Sequence, residues 1–216
     1  MISHPVLVAA VLLTLFGVAG SALVAFTHER TAPLIEENER AALLRKLHAL
    51  VPAERIDNDI IADRIVVHRK ELLGADATTV YRARLKGEPV AAVFTPVVPD
   101  GYSGPIYLLV AVREDGTLDG VRVISHKETP GLGDKIEEEK SDWIHGFEGK
   151  SLGNPPMQDW QVKRDGGAFD QFTGATITPR AVVRAVRNTL IYFREERDRL
   201  FEQRSITAKA PKKETR

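Results

Sequence analysis

The chain enters its last predicted helix through residues 170–179, which read Asp-Gln-Phe-Thr-Gly-Ala-Thr-Ile-Thr-Pro. Thr178 followed by Pro179 predicts a helix N-cap and first helical position, because a hydroxyl can accept an orphan backbone N–H and proline needs no N–H there. Gly174 permits a tight turn just before that helix. The hydroxyl of Thr176 is therefore expected near the positive end of a helix, where free N–H groups favour a phosphate. By itself, the same pattern is also typical of an ordinary loop before a helix.

The residues around this stretch predict an α+β domain in which helices flank an antiparallel sheet. Upstream, four strand-like runs separated by turns are expected to form a meander, at residues 79–85, 89–94, 106–112 and 118–125. Downstream, apolar residues between 182 and 193 recur at helical spacing and predict a helix that packs on the sheet. Residues 134–147 predict a further helix, and residues 160–163 predict a further strand.

The N-terminal part of the chain predicts a membrane anchor. Residues 5–26 carry only apolar or small side chains apart from Thr14 and Ser21, which is long enough for a helix to cross a bilayer at about 20 residues per span. A cleaved signal peptide is the alternative, but no Lys or Arg precedes the run, and the run exceeds the usual apolar length of about 7 to 15 residues. We therefore expect the anchor to be retained.

These patterns divide the chain into four predicted parts. Residues 1–30 form the transmembrane anchor, and residues 31–78 form a linking amphipathic helix and a connection. The folded domain is expected over 79–203. Residues 204–216 are charged, have little to bury and are predicted to be a disordered tail.

The composition excludes several classes of function. Lys plus Arg and Asp plus Glu both number 30, so no net charge favours nucleic acid. The chain has no cysteine, which excludes thiolate catalysis, cysteine-ligated zinc, iron–sulfur clusters and disulfides. Its six histidines are scattered without the spacing of helical ligand pairs, so no metal site is predicted.

The residues of the opening stretch resemble a known modification motif. Asp170, Thr173, Gly174, Ala175 and Thr176 form the pattern Asp-x-x-Thr-Gly-Ala-Thr. This pattern resembles the flavinylation motif of the FMN-binding domain shared by the G subunit of Rnf-type electron transport complexes and the C subunit of Na⁺-translocating NADH:quinone reductases. In that family the last threonine carries FMN through a phosphoester bond, which implies FMN on Thr176. The resemblance extends to residues 101–106, to residues 126–133 and to the single apolar span.

The resemblance also implies the residues around the flavin. Glu128, Thr129 and Leu132 are expected to border the ring, and Gly104 is a position of close approach. The predicted site is completed by the neighbours of Thr176, which are Thr173, Gly174, Ala175 and Thr178. His126 either tunes the flavin or only completes a loop, and no catalytic residue is expected in the chain. The Gly-Leu-Gly sequence at 131–133 does not predict a dinucleotide loop, because the third glycine and the preceding parallel strand are missing.

The family implies an electron-transfer subunit of a membrane-bound, ion-translocating oxidoreductase complex. Its partners would be the other subunits, with a separate flavin transferase for maturation. Residues 5–26 contain no ionisable side chain, so an ion path would belong to the partner subunits. Two other functions stay open: a free-standing membrane-anchored flavoprotein reductase, and a non-redox scaffold module outside the cytoplasm.

The side of the membrane is predicted differently by charge and by resemblance. No Lys or Arg precedes the span, whereas Arg30, Arg40, Arg45 and Lys46 follow it, and this bias favours a cytoplasmic domain. The family implies a soluble domain on the periplasmic side of the bacterial inner membrane. We adopt the periplasmic side as the expectation.

Overall fold

The computed structural model describes residues 4–206, and the chain divides into two compact units, Met1–Arg45 and Lys46–Arg216. The first unit consists of most of helix α1, which spans His4–Leu50. Within residues 4–206, α1 is the one helix that is long and apolar enough to cross a membrane, which supports the predicted single anchor. The predicted linking helix is not a separate element, because α1 continues through Pro33, whose missing N–H removes only one helical hydrogen bond.

The second unit is built on a six-stranded antiparallel sheet. Its strands are β1 (Arg64–Val67), β2 (Thr78–Leu85), β3 (Glu88–Phe94), β4 (Val97–Val98), β5 (Ile106–Arg113) and β6 (Leu118–Ser125). The short helix α2 (Lys70–Leu73) follows β1, and the long helix α3 (Ile177–Glu202) follows the last loops. Strands β1, β2, β3 and β5 are neighbours in that order, and β5 also pairs with β4 and β6. The predicted meander and the α+β class are confirmed.

Three predicted elements differ from the structure. Strand β1 and helix α2 lie within 31–78, the segment that the sequence pattern assigned to a linking helix and a connection. Residues 134–147 do not form one helix, because the helical structure there is limited to two short 3₁₀ turns, Gly133–Ile136 and Asp142–Phe147. The strand predicted at 160–163 is reduced to an isolated bridge between Val162 and Phe169. Further 3₁₀ turns are Ala53–Arg55, Met157–Asp159 and Lys163–Asp165.

Aromatic packing explains the short turns between β6 and α3. The ring centroid of Phe169 lies 4.9 Å from that of Phe147 and 5.0 Å from that of Trp160. Trp143 packs edge-on against Phe172 at 5.1 Å. These rings come from well-separated positions, so they can meet only if the backbone between them turns repeatedly. The apolar residues of 134–147, whose spacing predicted one helical face, therefore pack into a compact aromatic cluster instead.

Both faces of the sheet are buried. On one face, side chains of β5 such as Leu108 and Val110 share a core with Val182 and Val186 of α3. Leu109 alternates with these residues along β5 and is also fully buried, so the opposite face is covered as well. The last turn of α1 contributes there, since Leu50 packs so closely on β6 that a Cβ at Gly120 would lie 2.9 Å from its side chain.

The C-terminal end of α3 is tied back to the sheet. Arg82 is only 2% exposed, and its guanidinium donates hydrogen bonds to the carbonyls of Leu200 and Gln203. The carboxylate of Asp63 pairs with Arg82 and accepts a hydrogen bond from Ser205. Burial alone would raise the pKa of Asp63, but its hydrogen bonds to Ser205 and the neighbouring arginines outweigh burial and lower it.

Two residues of the predicted tail, Ser205 and Ile206, therefore help to hold the end of α3 against the sheet. Ser205 bonds to Asp63 and Arg82, and the backbone N–H of Ile206 donates to the carbonyl of Arg64 at 2.7 Å. The physical reason is that a buried carboxylate and guanidinium need polar partners, which the end of the chain supplies. The rest of the predicted tail, residues 207–216, lies outside the described residues.

Candidate functional site

One cleft of about 280 Å³ lies where three loops meet at the start of α3. We call it the cleft, and its lining consists of Tyr102, Glu128, Thr129, Leu132, Gly133, Gly174, Ala175, Thr176, Ile177 and Thr178. The structure thus brings together seven of the predicted site residues, namely Glu128, Thr129, Leu132, Gly174, Ala175, Thr176 and Thr178. Thr173 and Gly104 do not line the cleft. Thr173 is exposed in the loop before it, and Gly104 lies two residues beyond the lining residue Tyr102.

The two threonines at the start of α3 have different roles. The helix begins at Ile177, so Thr176 occupies the N-cap position. The prediction that Thr178 is the N-cap is wrong, because its fully buried hydroxyl donates to the carboxylate of Glu128. The Thr176 side chain makes no capping hydrogen bond, and it has no other hydrogen-bond partner among the described residues. Thr176 therefore presents a free hydroxyl to the cleft at the N-terminus of a 26-residue helix.

Glu128 connects the walls of the cleft. Its side chain is 4% exposed, and its two carboxylate oxygens accept hydrogen bonds from the backbone N–H of Ser103, at 2.9 Å, and from the hydroxyl of Thr178. The first bond fixes the loop that carries Tyr102, and the second fixes the first turn of α3. A single carboxylate thus sets the spacing between two walls that are distant in sequence.

His126 supports Glu128 from outside the cleft. Its Nδ1 accepts the backbone N–H of Glu128 at 2.9 Å, and its Nε2 lies 2.5 Å from the carboxylate of Glu137. Because Nδ1 is an acceptor, the ring proton belongs on Nε2, where it can be donated to Glu137. Of the two roles left open for His126, the geometry favours completion of the loop, since His126 does not line the cleft.

Two glycines make room for the Glu128 carboxylate. A Cβ at Gly133 would lie 2.7 Å from one carboxylate oxygen and 3.0 Å from the Thr178 hydroxyl. A Cβ at Gly101 would lie 2.9 Å from the other carboxylate oxygen and 2.3 Å from the carbonyl of Gly104. Neither glycine adopts a positive φ, so both are required for space. Gly174 differs, because its φ of 83° is a conformation that favours glycine.

Three lining residues were not predicted as site residues: Tyr102, Gly133 and Ile177. Tyr102 and Ile177 are 68% and 47% exposed, and the predicted contact Leu132 is 41% exposed. Large apolar side chains at the opening of a cleft are suited to bind a flat apolar group. The sequence signal for these residues was their position, because Tyr102 and Gly133 lie within the glycine-rich loops and Ile177 lies between the two threonines.

The loop before the cleft is anchored by its apolar residue and presents its polar ones. Phe172 is buried against Trp143, whose indole N–H donates to the carbonyl of Asp170 at 2.7 Å. The carboxylate of Asp170 is exposed and pairs with Lys163 at 2.6 Å. Trp143 is partly buried and packs against the core, and the side chains of Asp170 and Thr173 face solvent.

The chemistry of the cleft fits a phosphate ester with a flat apolar portion. The start of α3 supplies orphan N–H groups and a positive dipole end, and Thr176 supplies an unpaired hydroxyl. The exposed side chains of Tyr102, Leu132 and Ile177 supply apolar surface. Residues 4–206 contain no cluster of side chains that could hold a metal ion. FMN has both required parts, and these residues would hold it.

Comparisons with known proteins agree with this chemistry. The family described as FMN-binding domain matches residues 101–191, and the family described as RnfG N-terminal region matches residues 1–50. A protein of Pseudomonas aeruginosa (strain UCBPP-PA14), named as the G subunit of an ion-translocating oxidoreductase complex, is 52% identical over 88% of this chain and 90% of its own length. Proteins with the same name from Pseudoalteromonas atlantica and Shewanella oneidensis are 48% and 44% identical, over 88% and 93% of this chain and 89% and 95% of their own lengths.

Proposed function

We propose a function from the premise that this chain belongs to the family of G subunits of ion-translocating oxidoreductase complexes. In our proposal the chain carries FMN as a phosphoester on Thr176 and relays electrons between redox centres of such a complex. One observation carries the assignment to Thr176. Its hydroxyl is free at a helix N-terminus in the cleft, whereas the hydroxyl of Thr178 is already bonded to Glu128.

The attachment step is a transfer of FMN from FAD. The Thr176 oxygen attacks the phosphorus atom next to riboflavin, the P–O–P bond breaks, AMP leaves, and the hydroxyl proton passes to a base. The lining of the cleft contains no His or Lys, and its one carboxylate accepts two hydrogen bonds. The base is therefore assigned to a separate flavin transferase. Exposure of Asp170 and Thr173 suits recognition of the loop by that enzyme.

The bound flavin supplies electron acceptance and donation, and the chain supplies its position. Thr176 would hold the phosphate at the start of α3, while Tyr102, Leu132 and Ile177 would exclude water from part of the ring. Because these side chains are partly exposed, the cofactor would stay accessible to a redox partner. Residues 12–26 of α1 contain no ionisable side chain, so this chain acts as a carrier and the ion path belongs to partner subunits.

The soluble unit is proposed to lie on the periplasmic side of the bacterial inner membrane. A covalent tether is useful there, because a cofactor that dissociates outside the cytoplasm is lost. The absence of cysteine makes the side measurable, since Lys140→Cys would introduce a single thiol at an exposed position. A membrane-impermeant maleimide should label that thiol in intact cells whose outer membrane has been permeabilised. Labelling only after the inner membrane is broken would place the domain in the cytoplasm.

The attachment is tested by co-expression with a flavin transferase. Denatured wild-type protein should fluoresce in the gel and carry the added mass of one FMN, and Thr176→Ala should show neither. Ser125→Ala is the matched control, because it removes an exposed hydroxyl that lies outside the cleft and outside the loop at residues 170–176. Full covalent flavin in Thr176→Ala would refute the assignment. A colourless wild type, beside a flavinylated control protein, would favour a scaffold module.

A further inference from the structure

Among the described residues, Glu128 and Asp134 are buried carboxylates without an ion pair, and of these two only Glu128 lines the cleft. They differ in their partners from two other carboxylates that are largely buried, those of Asp63 and Asp119. Asp63 pairs with Arg82 and Arg84, and Asp119 pairs with Arg55 and Arg113. Within residues 4–206, Glu128 forms no ion pair, and its two carboxylate oxygens are bonded to a backbone N–H and a hydroxyl. Among the described residues, the direct hydrogen-bond partners of this carboxylate are therefore neutral groups.

The position of this carboxylate is built into the fold. The glycines at 101 and 133 leave no space beyond the carboxylate itself, since a Cβ at either would come within 2.9 Å of one of its oxygens. The bonds from Ser103 and Thr178 fix the orientation of the group. A buried charge that lacks a counter-charge is costly, so a fold that holds one in a cleft points to a role toward the ligand.

We propose that Glu128 sets the reduction potential of the flavin, an inference that rests on the proposed function. Glu128 and Thr176 line the same cavity of about 280 Å³. A sphere of that volume is roughly 8 Å across, so a ring bound in the cleft would lie within about one Debye length of the carboxylate. Protein and ring displace water between the two charges, which strengthens their interaction relative to bulk water.

The direction of the effect follows from charge. Reduction brings electrons from the redox partner to the ring and, at neutral pH, leaves the reduced ring with more negative charge than the oxidised ring. The fixed carboxylate opposes that charge and favours the oxidised form. Glu128 thus lowers the reduction potential, and its neutralisation raises it.

The test compares the flavin potential of two size-matched side chains. The full chain is co-expressed with a flavin transferase, purified in detergent and titrated spectroelectrochemically. Glu128→Gln keeps the length of the side chain and an oxygen that can accept a hydrogen bond. It should make reduction more favourable by at least about tenfold in the equilibrium constant, which is about 30 mV for a two-electron couple. Glu139→Gln removes an exposed carboxylate and should leave the potential unchanged.

The outcomes separate this inference from the proposed function. Wild type without covalent flavin would overturn the proposed function, whereas loaded Glu128→Gln with the wild-type potential would overturn the inference alone. If Glu128→Gln does not load flavin, Glu128→Asp and Glu128→Asn form a second pair of equal length, and the Asn variant must have the higher potential. Failure of both pairs to give loaded, folded protein would assign Glu128 a structural role only, and the proposal would fall.

Discussion

Helix α3 is held at both ends by a buried charged side chain, and the two ends differ in how that charge is balanced. At the C-terminal end, Arg82 donates to the carbonyl of Leu200 and pairs with Asp63. At the N-terminal end, Glu128 accepts a hydrogen bond from Thr178 and has no ion pair among the described residues. Each charge has the sign that complements the helix dipole at its end. Only the C-terminal charge has a counter-charge.

The charges at the C-terminal end of α3 are therefore structural, whereas the groups at its N-terminal end are available to a ligand. The guanidinium and carboxylate at the C-terminal end compensate each other, so their interaction is complete without a ligand. At the N-terminal end, an unpaired carboxylate, a free hydroxyl on Thr176 and exposed apolar side chains line one cleft. Groups left uncompensated by the fold are the groups available to a cofactor.

The largest expected effect on stability comes from removing Arg82, the buried cation at the C-terminal end of α3. Arg82→Met should lower the free energy of unfolding by about 3–5 kcal/mol, because it leaves the Asp63 carboxylate partly buried without its closest cation. Urea denaturation of the full chain in detergent measures this change. Arg197→Met removes an exposed ion pair with Glu114 and should cost less than about 1 kcal/mol. Equal losses in the two variants would show that burial of Arg82 has no special importance.

The next largest effect is a difference in stability between variants of the two threonines at the N-terminal end of α3. In flavin-free protein, Thr178→Val should cost about 1–3 kcal/mol of stability, because it removes a donor from a buried carboxylate. Thr176→Val should leave stability nearly unchanged, since its hydroxyl has no partner among the described residues.

Thr178→Val is the variant expected to lose more stability, whereas Thr176→Val is the variant expected to lose more covalent flavin after co-expression with a flavin transferase. Thr176→Val should lose covalent flavin by intact mass, and Thr178→Val should keep at least part of it. If one variant showed the larger loss in both stability and covalent flavin, the assignment of a structural role to Thr178 and of flavin attachment to Thr176 would be contradicted.

A smaller effect tests the space around Glu128. Gly133→Ala should cost about 1 kcal/mol, because the new Cβ would lie 2.7 Å from the carboxylate and force it to shift. It should also reduce flavin loading at a fixed time of co-expression. Gly146→Ala is the matched control, since a Cβ there meets nothing within 4 Å and the residue has no positive φ. An unchanged stability in Gly133→Ala would show that the carboxylate is not confined.

The smallest expected effect is the pH dependence of the stability that Asp63 contributes at the C-terminal end of α3. The pKa of Asp63 is lowered in the folded protein, so the ionised carboxylate contributes stability above its unfolded pKa, near the ordinary value of 3.8. That contribution should decline as the pH falls below about 4 and vanish once the pH is below the folded pKa. Unfolding free energies between pH 5 and pH 2 measure this loss, and Asp63→Asn should show a shallower decline. An identical slope in wild type and Asp63→Asn would refute the contribution.

Much of the fold could be predicted from local patterns. The four strands of the meander and the helix after Pro179 were read from alternation, turn residues and helical spacing. Strand β1 and helix α2 were missed, because each is only four residues long and depends on neighbours for its stability. Residues 134–147 were wrongly predicted as a helix, because aromatic packing at a distance outweighed their helical spacing.

The sequence by itself determined which residues are available to line the cleft, because the motif ending at Thr176 and the glycine-rich loops are local features of the chain. Only the tertiary structure decided what each of them does. It bonded Thr178 to a carboxylate 50 residues earlier in the chain, left Thr176 free, and enclosed Glu128 between two glycines. Hydrogen bonding and steric contact act between neighbours in space, and no local pattern specifies which distant residues become neighbours.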